Sequence, residues 1–181
     1  LELAQSIDSK EYIYLGHMAT GAGYAIEGSS IEKALEHFLA GAEIADRQPS
    51  QEWQLRQIKA MMNVAGVHYT NDDIPQALGY SYKYVKQLEQ TTDTATLAAS
   101  YETLALMHKT AQTWDSVYYY INKAKKLYRK TGQKHRLLEV KLIEGQALKS
   151  NGNYSAALDV FTQLHDEAAI QNDTVTLMNL Y

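Results

Sequence analysis

The sequence predicts an all-α fold, a solenoid of antiparallel helix pairs, and three observations support this prediction. A short pattern of bulky and small residues occurs four times, at steps of 43, 40 and 40 residues. Another small residue lies twelve positions before the small residue of each copy, and turn-forming residues lie between the two. Repeats of this length indicate helical hairpins, which must stack on their neighbours to bury their apolar faces.

The recurring pattern itself has the spacing of an α-helix. A bulky residue is followed by a small one three positions later and usually by another bulky residue four positions after that. This spacing places the three side chains on one helix face, and we call this helix the second helix of each pair. Its small positions are Ala34, Ala77, Val117 and Ala157, and the bulky residues that follow include Phe38 and Phe161.

The preceding small residues predict the first helix of each pair. Two helices pack closely only where small side chains let their backbones approach. The small positions of the first helices are Ala22, Ala65, Ala105 and Gly145. Turn signals separate the two helices of each pair at Gly28-Ser29-Ser30, Asn71-Asp72-Asp73, Gln112-Thr113 and Asn151-Gly152-Asn153.

Polar residues mark the helix starts and give the boundaries of the array. Asp8, Asp93 and Asp173 are predicted N-caps, Ser50 fills another junction, and Ser29 with Glu32 resembles a capping box. The whole chain, 1–181, is therefore predicted to be a single array. Its hairpins lie at about 9–48, 50–91, 93–131 and 133–171, with the start of a fifth pair at 173–181. Neither end shows the polar outer face of a terminal repeat, so we expect a segment of a longer protein.

The segment from Gly145 to Phe161 resembles a tetratricopeptide repeat. It has Gly145 at the eighth position, Gly152-x-Tyr154 at the turn, Ala157 three residues after the tyrosine and Phe161 four residues later. The other copies match less closely, and the resemblance extends from about Ser9 to Tyr181. The period of about 40 residues exceeds the usual 34 or so.

This resemblance implies both a fold and a class of function. The fold would be a right-handed superhelix in which the first helix of each pair lines the concave side. Long-helix arrays of this kind occur in kinesin light chains and in bacterial peptide-sensing regulators, which bind proteins or peptides. The resemblance thus implies a protein-interaction module, expected to belong to a larger bacterial regulatory or signalling protein. A purely structural scaffold is the alternative.

The repeat alignment places a mixed polar and apolar set of side chains on the concave side. Such a surface could hold an extended peptide or a helix. The candidate residues are Lys59, Met62, Asn63, Gly66 and Tyr69, then Glu102, Thr103, Leu106 and Lys109, and finally Glu139, Leu142, Ile143, Gln146 and Lys149. Some tetratricopeptide domains clamp a chaperone tail with Lys and Asn at set groove positions. Here Met62, Glu102 and Leu142 replace the lysines and only Asn63 fits, which argues against that clamp.

One basic stretch stands out in an acidic chain. Residues 120–149 contain nine Lys and Arg against two Glu, although the whole chain has a net charge of −4. An anionic partner, including nucleic acid, is one interpretation. We favour a solvated face, because charge runs on helices usually face water. The basic residues concerned are Lys123, Lys125, Lys126, Arg129, Lys130, Lys134 and Arg136.

Tyrosine is abundant, with fourteen residues, and three of them are consecutive, at Tyr118, Tyr119 and Tyr120. Three consecutive residues spread around a helix. At least one of these rings is therefore expected to be exposed and available to a partner.

No catalytic, metal or cofactor site is predicted. The chain has no cysteine, which excludes disulfides and is compatible with cytoplasm or periplasm alike. His68 and His108 occupy equivalent positions of successive first helices, roughly 8–10 Å apart, which is too far to share one ion. We found no acid–base pair, nucleophile triad or phosphate loop at meaningful spacing, so enzymatic activity is not expected.

Overall fold

The computed structural model describes residues 2–28, 30–170 and 173–179, with side chains from residue 10 onward. The described residues form nine α-helices and no β-strand, so the all-α prediction is confirmed. The helices are α1 (Glu2–Glu27), α2 (Ile31–Asp46), α3 (Gln51–Thr70), α4 (Ile74–Leu88), α5 (Thr94–Thr110), α6 (Trp114–Thr131), α7 (Lys134–Ser150), α8 (Tyr154–Ile170) and α9 (Thr174–Met178).

The helices divide into two compact units, residues up to 87 and residues from 88 onward. In the first unit, α1 packs on α2 and α2 on α3, and the stacked rings of His68 and Tyr80 join α3 to α4. In the second unit, each helix from α5 to α8 packs on the next one, and α5 also contacts α7. Within each unit, consecutive helices therefore pack against each other, as the repeat predicts.

The turns between paired helices share one backbone geometry. A residue in the left-handed region comes shortly before each second helix, and two of these four residues are not glycine. They are Gly28 (φ 62°), Asp72 (φ 58°), Gln112 (φ 56°) and Gly152 (φ 79°). In three of the turns, the next N–H donates to the carbonyl five residues earlier: Asp73 to His68, Thr113 to His108 and Asn153 to Leu148. This bond satisfies a carbonyl that the end of the first helix leaves free.

Two predicted N-caps, Asp93 and Asp173, are confirmed, and the junction residue Ser50 is a third N-cap. In each, a side-chain oxygen accepts a hydrogen bond from the backbone N–H three residues later. The pairs are Ser50 with Trp53 at 3.4 Å, Asp93 with Thr96 at 3.0 Å and Asp173 with Thr176 at 2.9 Å.

Two capping predictions need correction or fall outside the structure. Asp8 does not cap a helix, because α1 begins at Glu2 and continues through that position. The sequence signal failed because a good N-cap residue is also tolerated inside a long helix. Ser29 lies outside the described residues, and the observed N-cap of α2 is Ser30, which accepts from the Lys33 N–H at 3.3 Å.

Close helix packing falls on small residues. A Cβ at Gly145 would lie 2.4 Å from Cε1 of Phe161, so only glycine fits between α7 and α8. In the first hairpin a Cβ at Gly21 would lie 3.0 Å from the Phe38 ring, so the two helices approach closely there. This is one residue before Ala22, which is only half-buried. The remaining small positions are buried: Ala34, Ala65, Ala77, Ala105, Val117 and Ala157.

Each unit has its own apolar core. In the first unit, Tyr14, Met18, Phe38 and Val64 belong to one cluster, against which Trp53 packs. A cluster in the second unit consists of Leu138, Leu164 and Ala168, with Leu142 and Leu177 packed on it. Full burial of one such large side chain stabilises the fold by about 1.5–3 kcal/mol. These cores fix the first helices and thereby position the candidate surface.

Candidate partner-binding surface

The first unit contains an apolar cleft along α3, which we call the α3 cleft. Its volume is about 320 Å³. It is lined by Ala22, Ala25, Ile26, Phe38, Met62, Asn63, Gly66, Val67 and Thr70. Three of these, Met62, Asn63 and Gly66, are residues that the sequence placed on the candidate surface.

The α3 cleft combines an apolar lining with one amide. Phe38 is 2% exposed, whereas Ile26 is 86% exposed. Asn63 is half-buried, and its amide makes no hydrogen bond within the described part of the chain. An amide both donates and accepts, so it can pair with the backbone of an extended peptide. The cleft can therefore take an apolar side chain and orient the backbone that carries it.

The second unit contains a polar cleft, which we call the lysine cleft. It is lined by Lys109, Gln146, Lys149, Ser150 and Tyr154 and has a volume of about 490 Å³. Lys109 lies in the last turn of α5, and Tyr154 is the first residue of α8. The Lys109 ammonium donates to Oε1 of Gln146 at 2.7 Å, and burial lowers the pKa of this lysine. Three predicted surface residues, Lys109, Gln146 and Lys149, thus meet here.

Glu102, another predicted surface residue, is held inside the second unit. It is 8% exposed, accepts a hydrogen bond from the Tyr128 hydroxyl at 2.7 Å and pairs with Arg136 at 3.0 Å. Burial raises the pKa of the Glu102 carboxyl and outweighs the lowering effects of Tyr128 and Arg136. Glu102 therefore ties α5 to α6 and α7, and its carboxylate is already engaged.

The other predicted surface residues differ in their availability. Ile143 is buried, and Leu142 packs on the core cluster of the second unit. Glu139 is ion-paired with Arg136 at 2.5 Å. Lys59 is exposed, and Tyr69, Thr103 and Leu106 are half-buried.

The basic stretch is partly neutralised within the chain. Three of its side chains form ion pairs: Lys123 with Glu89 at 3.2 Å, Lys125 with Glu144 at 2.8 Å and Arg136 with Glu102 at 3.0 Å. The other four, Lys126, Arg129, Lys130 and Lys134, are exposed. Only part of the positive charge is therefore available to an anionic partner.

The two equivalent histidines have separate local roles. His68 Nδ1 lies 3.2 Å from Asp73 Oδ2, and its ring stacks on Tyr80. His108 Nδ1 lies 2.6 Å from Thr113 Oγ1, and its ring stacks on a tyrosine of α6. Each histidine thus secures the turn of its own hairpin. Among the described residues, no group of three His, Asp or Glu is placed to hold a metal ion.

The tyrosine run exposes one of its rings. Tyr119 is 53% exposed, whereas Tyr118 and Tyr120 are half-buried. The prediction that at least one ring is exposed is confirmed. The Lys123 ammonium lies 5.0 Å from the centre of the Tyr119 ring, close enough for a cation–π contact.

Sequence reasoning missed several residues of the two clefts. Ala25 and Ile26 lie three and four positions after Ala22, so the helix period could have placed them beside the α3 cleft. Thr70 and Ser150 are the last residues of their first helices, directly before the predicted turns, and were not assigned to the surface. Tyr154 was assigned, with Gly152, to the repeat signature at the turn; its side chain is 69% exposed and lines the lysine cleft.

Comparison with known proteins identifies the fold. No protein-family model matches the sequence, and no curated protein matches it significantly. The apo form of RapI matches 99% of the chain and 64% of its own length, with a TM-score of 0.83 and 12% identity. A Rap protein complexed with competence and sporulation factor matches 98% of the chain and 48% of its own length, with a TM-score of 0.73 and 13% identity.

A kinesin light chain from Podosopora anserina with nearly identical TPR-like repeats is a third similar structure. It matches 85% of the chain and 74% of its own length, with a TM-score of 0.71 and 15% identity. These likenesses confirm the all-α, tetratricopeptide-like fold. The chain spans only 64% of RapI and 48% of the complexed Rap protein. No described helix is long and apolar enough to cross a membrane.

Proposed function

We propose that the chain is a protein-interaction module that binds a peptide or an extended protein segment through its first helices. The α3 cleft is the observation that carries this proposal. It presents apolar walls, a half-buried amide at Asn63 and an exposed apolar residue at Ile26. An apolar pocket with one oriented polar group is the usual composition of a site that binds a peptide side chain and its backbone.

A role in a bacterial regulatory or signalling protein is the finer part of the proposal. It is supported by the likeness to two Rap proteins, one of which was solved in complex with competence and sporulation factor. The chain's own support is the repeat length and the mixed chemistry of the first helices. On this proposal, the chain recognises a ligand and passes the effect on to another protein or domain, and it carries no catalytic step itself.

The test begins with selection of peptides from a random display library on the immobilised 181-residue chain. Affinities of the selected peptides are then measured by calorimetry on the parent chain and on two variants. Asn63→Ala removes the amide of the α3 cleft, and Asn122→Ala removes an exposed amide on α6 as the matched control. We expect Asn63→Ala to weaken binding about tenfold, the effect of one lost hydrogen bond in a partly buried site, and Asn122→Ala to leave it unchanged.

Two results would replace this proposal with its alternatives. If no peptide is selected, the scaffold function is preferred. If peptides are selected but both variants bind them as the parent does, the α3 cleft is not the site that binds them. Tight binding of duplex DNA that falls steeply with salt would indicate that the basic stretch binds nucleic acid. The neutralised charges of that stretch lead us to expect only weak binding.

A further inference from the structure

The lysine cleft carries positive charge that it does not balance. Its two ammonium groups come from Lys109 and Lys149, which lie 40 residues apart at equivalent positions of the repeat. Both are on first helices, and those helices, α5 and α7, contact each other. Among the described residues, the five that line the cleft include no carboxylate. The cleft therefore favours an anion from outside the chain.

The ammonium of Lys109 is half-buried in the cleft, without a counter-ion in the described part of the chain. Its one hydrogen bond within the described residues goes to the neutral Oε1 of Gln146. Burial lowers the pKa of Lys109, because the charge has lost water without gaining a neighbouring negative charge. An ammonium has three donors, so two remain for a ligand. A bound anion would offset the cost of burying this charge.

The other lining residues add donors and a flat wall. Since Oε1 of Gln146 accepts from Lys109, the amide orientation leaves its NH₂ group to donate elsewhere. The ammonium of exposed Lys149 makes no hydrogen bond within the described part of the chain. Ser150 contributes a hydroxyl, and the exposed ring of Tyr154 gives an apolar surface beside these donors. An anion attached to an organic group would use both the donors and the ring.

We propose that the lysine cleft binds a carboxylate of the peptide ligand, held by the ammonium groups of Lys109 and Lys149 and by the amide of Gln146. This inference rests on the proposed peptide-binding function and names the chemistry of part of the ligand. It differs from the chaperone-tail clamp, whose lysine positions are occupied here by Met62, Glu102 and Leu142. A carboxylate is the anion that an unmodified peptide carries, and the two ammonium groups and the amide of the cleft can donate charge-assisted hydrogen bonds to it.

Small probes test this proposal on the intact chain. They are N-acetyl-trialanine with a free carboxylate, the same peptide as its C-terminal amide, an N-acetylated and amidated peptide with one internal glutamate, and inorganic phosphate. Binding is followed by NMR of the lysine side chains in the ¹³C-lysine-labelled protein. Lys109→Met and Lys149→Met each remove one charge and keep the length of the side chain. Lys126→Met, which removes an exposed charge of α6, is the matched control.

We expect saturable shifts at Lys109 and Lys149 with a carboxylate probe and at least about tenfold weaker binding of the amide, the effect of losing hydrogen bonds to a charged group. Lys109→Met and Lys149→Met should weaken binding by a similar factor, whereas Lys126→Met should not. A preference for the free terminus identifies a C-terminal carboxylate, and a preference for the internal glutamate identifies an acidic side chain. Melting curves of all variants confirm that they fold.

Three results would overturn the inference: no saturation with either carboxylate, tighter binding of phosphate than of both carboxylates, or equal losses in Lys126→Met and Lys109→Met. The selected peptides separate this failure from failure of the proposed function. If they bind equally well as acids and as amides, and Lys109→Met has no effect, peptide binding stands and the carboxylate site does not. If no peptide is selected but the small carboxylates saturate the cleft, the peptide function fails and the anion site stands.

Discussion

The α3 cleft and the lysine cleft use equivalent positions of the repeat for opposite chemistry. The position after the small residue is Gly66 in the first cleft and Gln146 in the second. The last residue of the first helix is Thr70 in one and Ser150 in the other. The first cleft is apolar with one amide, whereas the second contains two lysines and no carboxylate among its lining residues. The repeat thus fixes where a cleft forms, and the individual side chains decide what it can bind.

Replacing Ala157 by arginine should have the largest effect on stability. It alters the unit that contains the lysine cleft and leaves the residues of the α3 cleft unchanged. Ala157 is buried between packed helices of the second unit, so Ala157→Arg forces a long charged side chain into a space that holds one methyl group. We expect a loss of about 3 kcal/mol or more in the free energy of unfolding. Denaturant unfolding measures it, with Ala169→Arg on the exposed face of α8 as the control. If Ala157→Arg unfolds like the parent, the assigned helix packing is wrong.

Alanine at two glycines should change stability in opposite directions. Gly145→Ala places a Cβ against the Phe161 ring, and we expect a loss of about 1–3 kcal/mol. Gly66→Ala meets no atom within 4 Å inside a helix, so it should stabilise the chain by about 0.5–1 kcal/mol. Thermal melting of both variants measures the difference. A stabilised Gly145→Ala variant would contradict this. It would show that the Phe161 ring moves aside freely, so that Gly145 and Gly66 do not differ in how tightly they are packed.

Added salt should distinguish ligands of the two clefts. Raising the ionic strength from about 0.1 M to about 1 M shortens the screening length from roughly 10 Å to roughly 3 Å. Binding of N-acetyl-trialanine carboxylate, measured at Lys149, should therefore weaken several-fold. A selected peptide that binds the α3 cleft, through its apolar walls and the uncharged amide of Asn63, should keep its affinity. Equal salt dependence of both ligands would contradict the chemical contrast between the clefts.

The smallest expected effect is a dependence of stability on pH, which comes from a His–Asp pair in the second unit, the unit that contains the lysine cleft. His135 Nδ1 lies 2.5 Å from Oδ2 of Asp173, the N-cap of α9, and this hydrogen bond raises the pKa of the histidine. The backbone N–H of Thr176 and then His135 lower the pKa of Asp173. The histidine's stabilising effect is present below about pH 6.5 and is lost as pH rises through its raised pKa. The aspartate's effect is present above about pH 3.8 and is lost at lower pH.

Stability should therefore decrease slightly between about pH 6 and pH 8, relative to His135→Gln, which lacks the pair. Unfolding at a series of pH values measures this difference, and His165→Gln serves as the control because His165 is exposed elsewhere on α8. A parent and a His135→Gln variant with parallel pH profiles would show that the pair does not stabilise α9. The first unit, with the α3 cleft, should show no such dependence on His135.

The fold followed from the sequence wherever the signal was local. Caps such as Asp93 and Asp173, and the pairing of Gly145 with Phe161, depend on residues close together in the repeat. Glu102 was misplaced on the open surface because its partners are 26 and 34 residues away, on other helices. No helix period reveals such a pairing. Asp8 failed for the opposite reason, since a local cap signal was overridden by the continuation of α1.

For the lysine cleft, the sequence predicted individual surface residues but not that they would form one site. Lys109, Gln146 and Lys149 were predicted on the candidate surface from the repeat alignment alone. Their grouping in one cleft with Tyr154 depends on the packing of α5, α7 and α8, which the sequence does not specify residue by residue. The resemblance to a repeat family placed Tyr154 in the turn signature and did not indicate that its side chain would be exposed beside the two lysines.

Photocrosslinking shows directly whether the first helices bind the peptide. A selected peptide carrying one benzophenone group is irradiated with the parent chain, and the crosslinked residue is identified by mass spectrometry. We expect crosslinks at residues of the first helices that line the two clefts, with Met62 of α3 the most favourable position. Crosslinks confined to exposed residues of the second helices, such as Tyr82 or Tyr119, would contradict it.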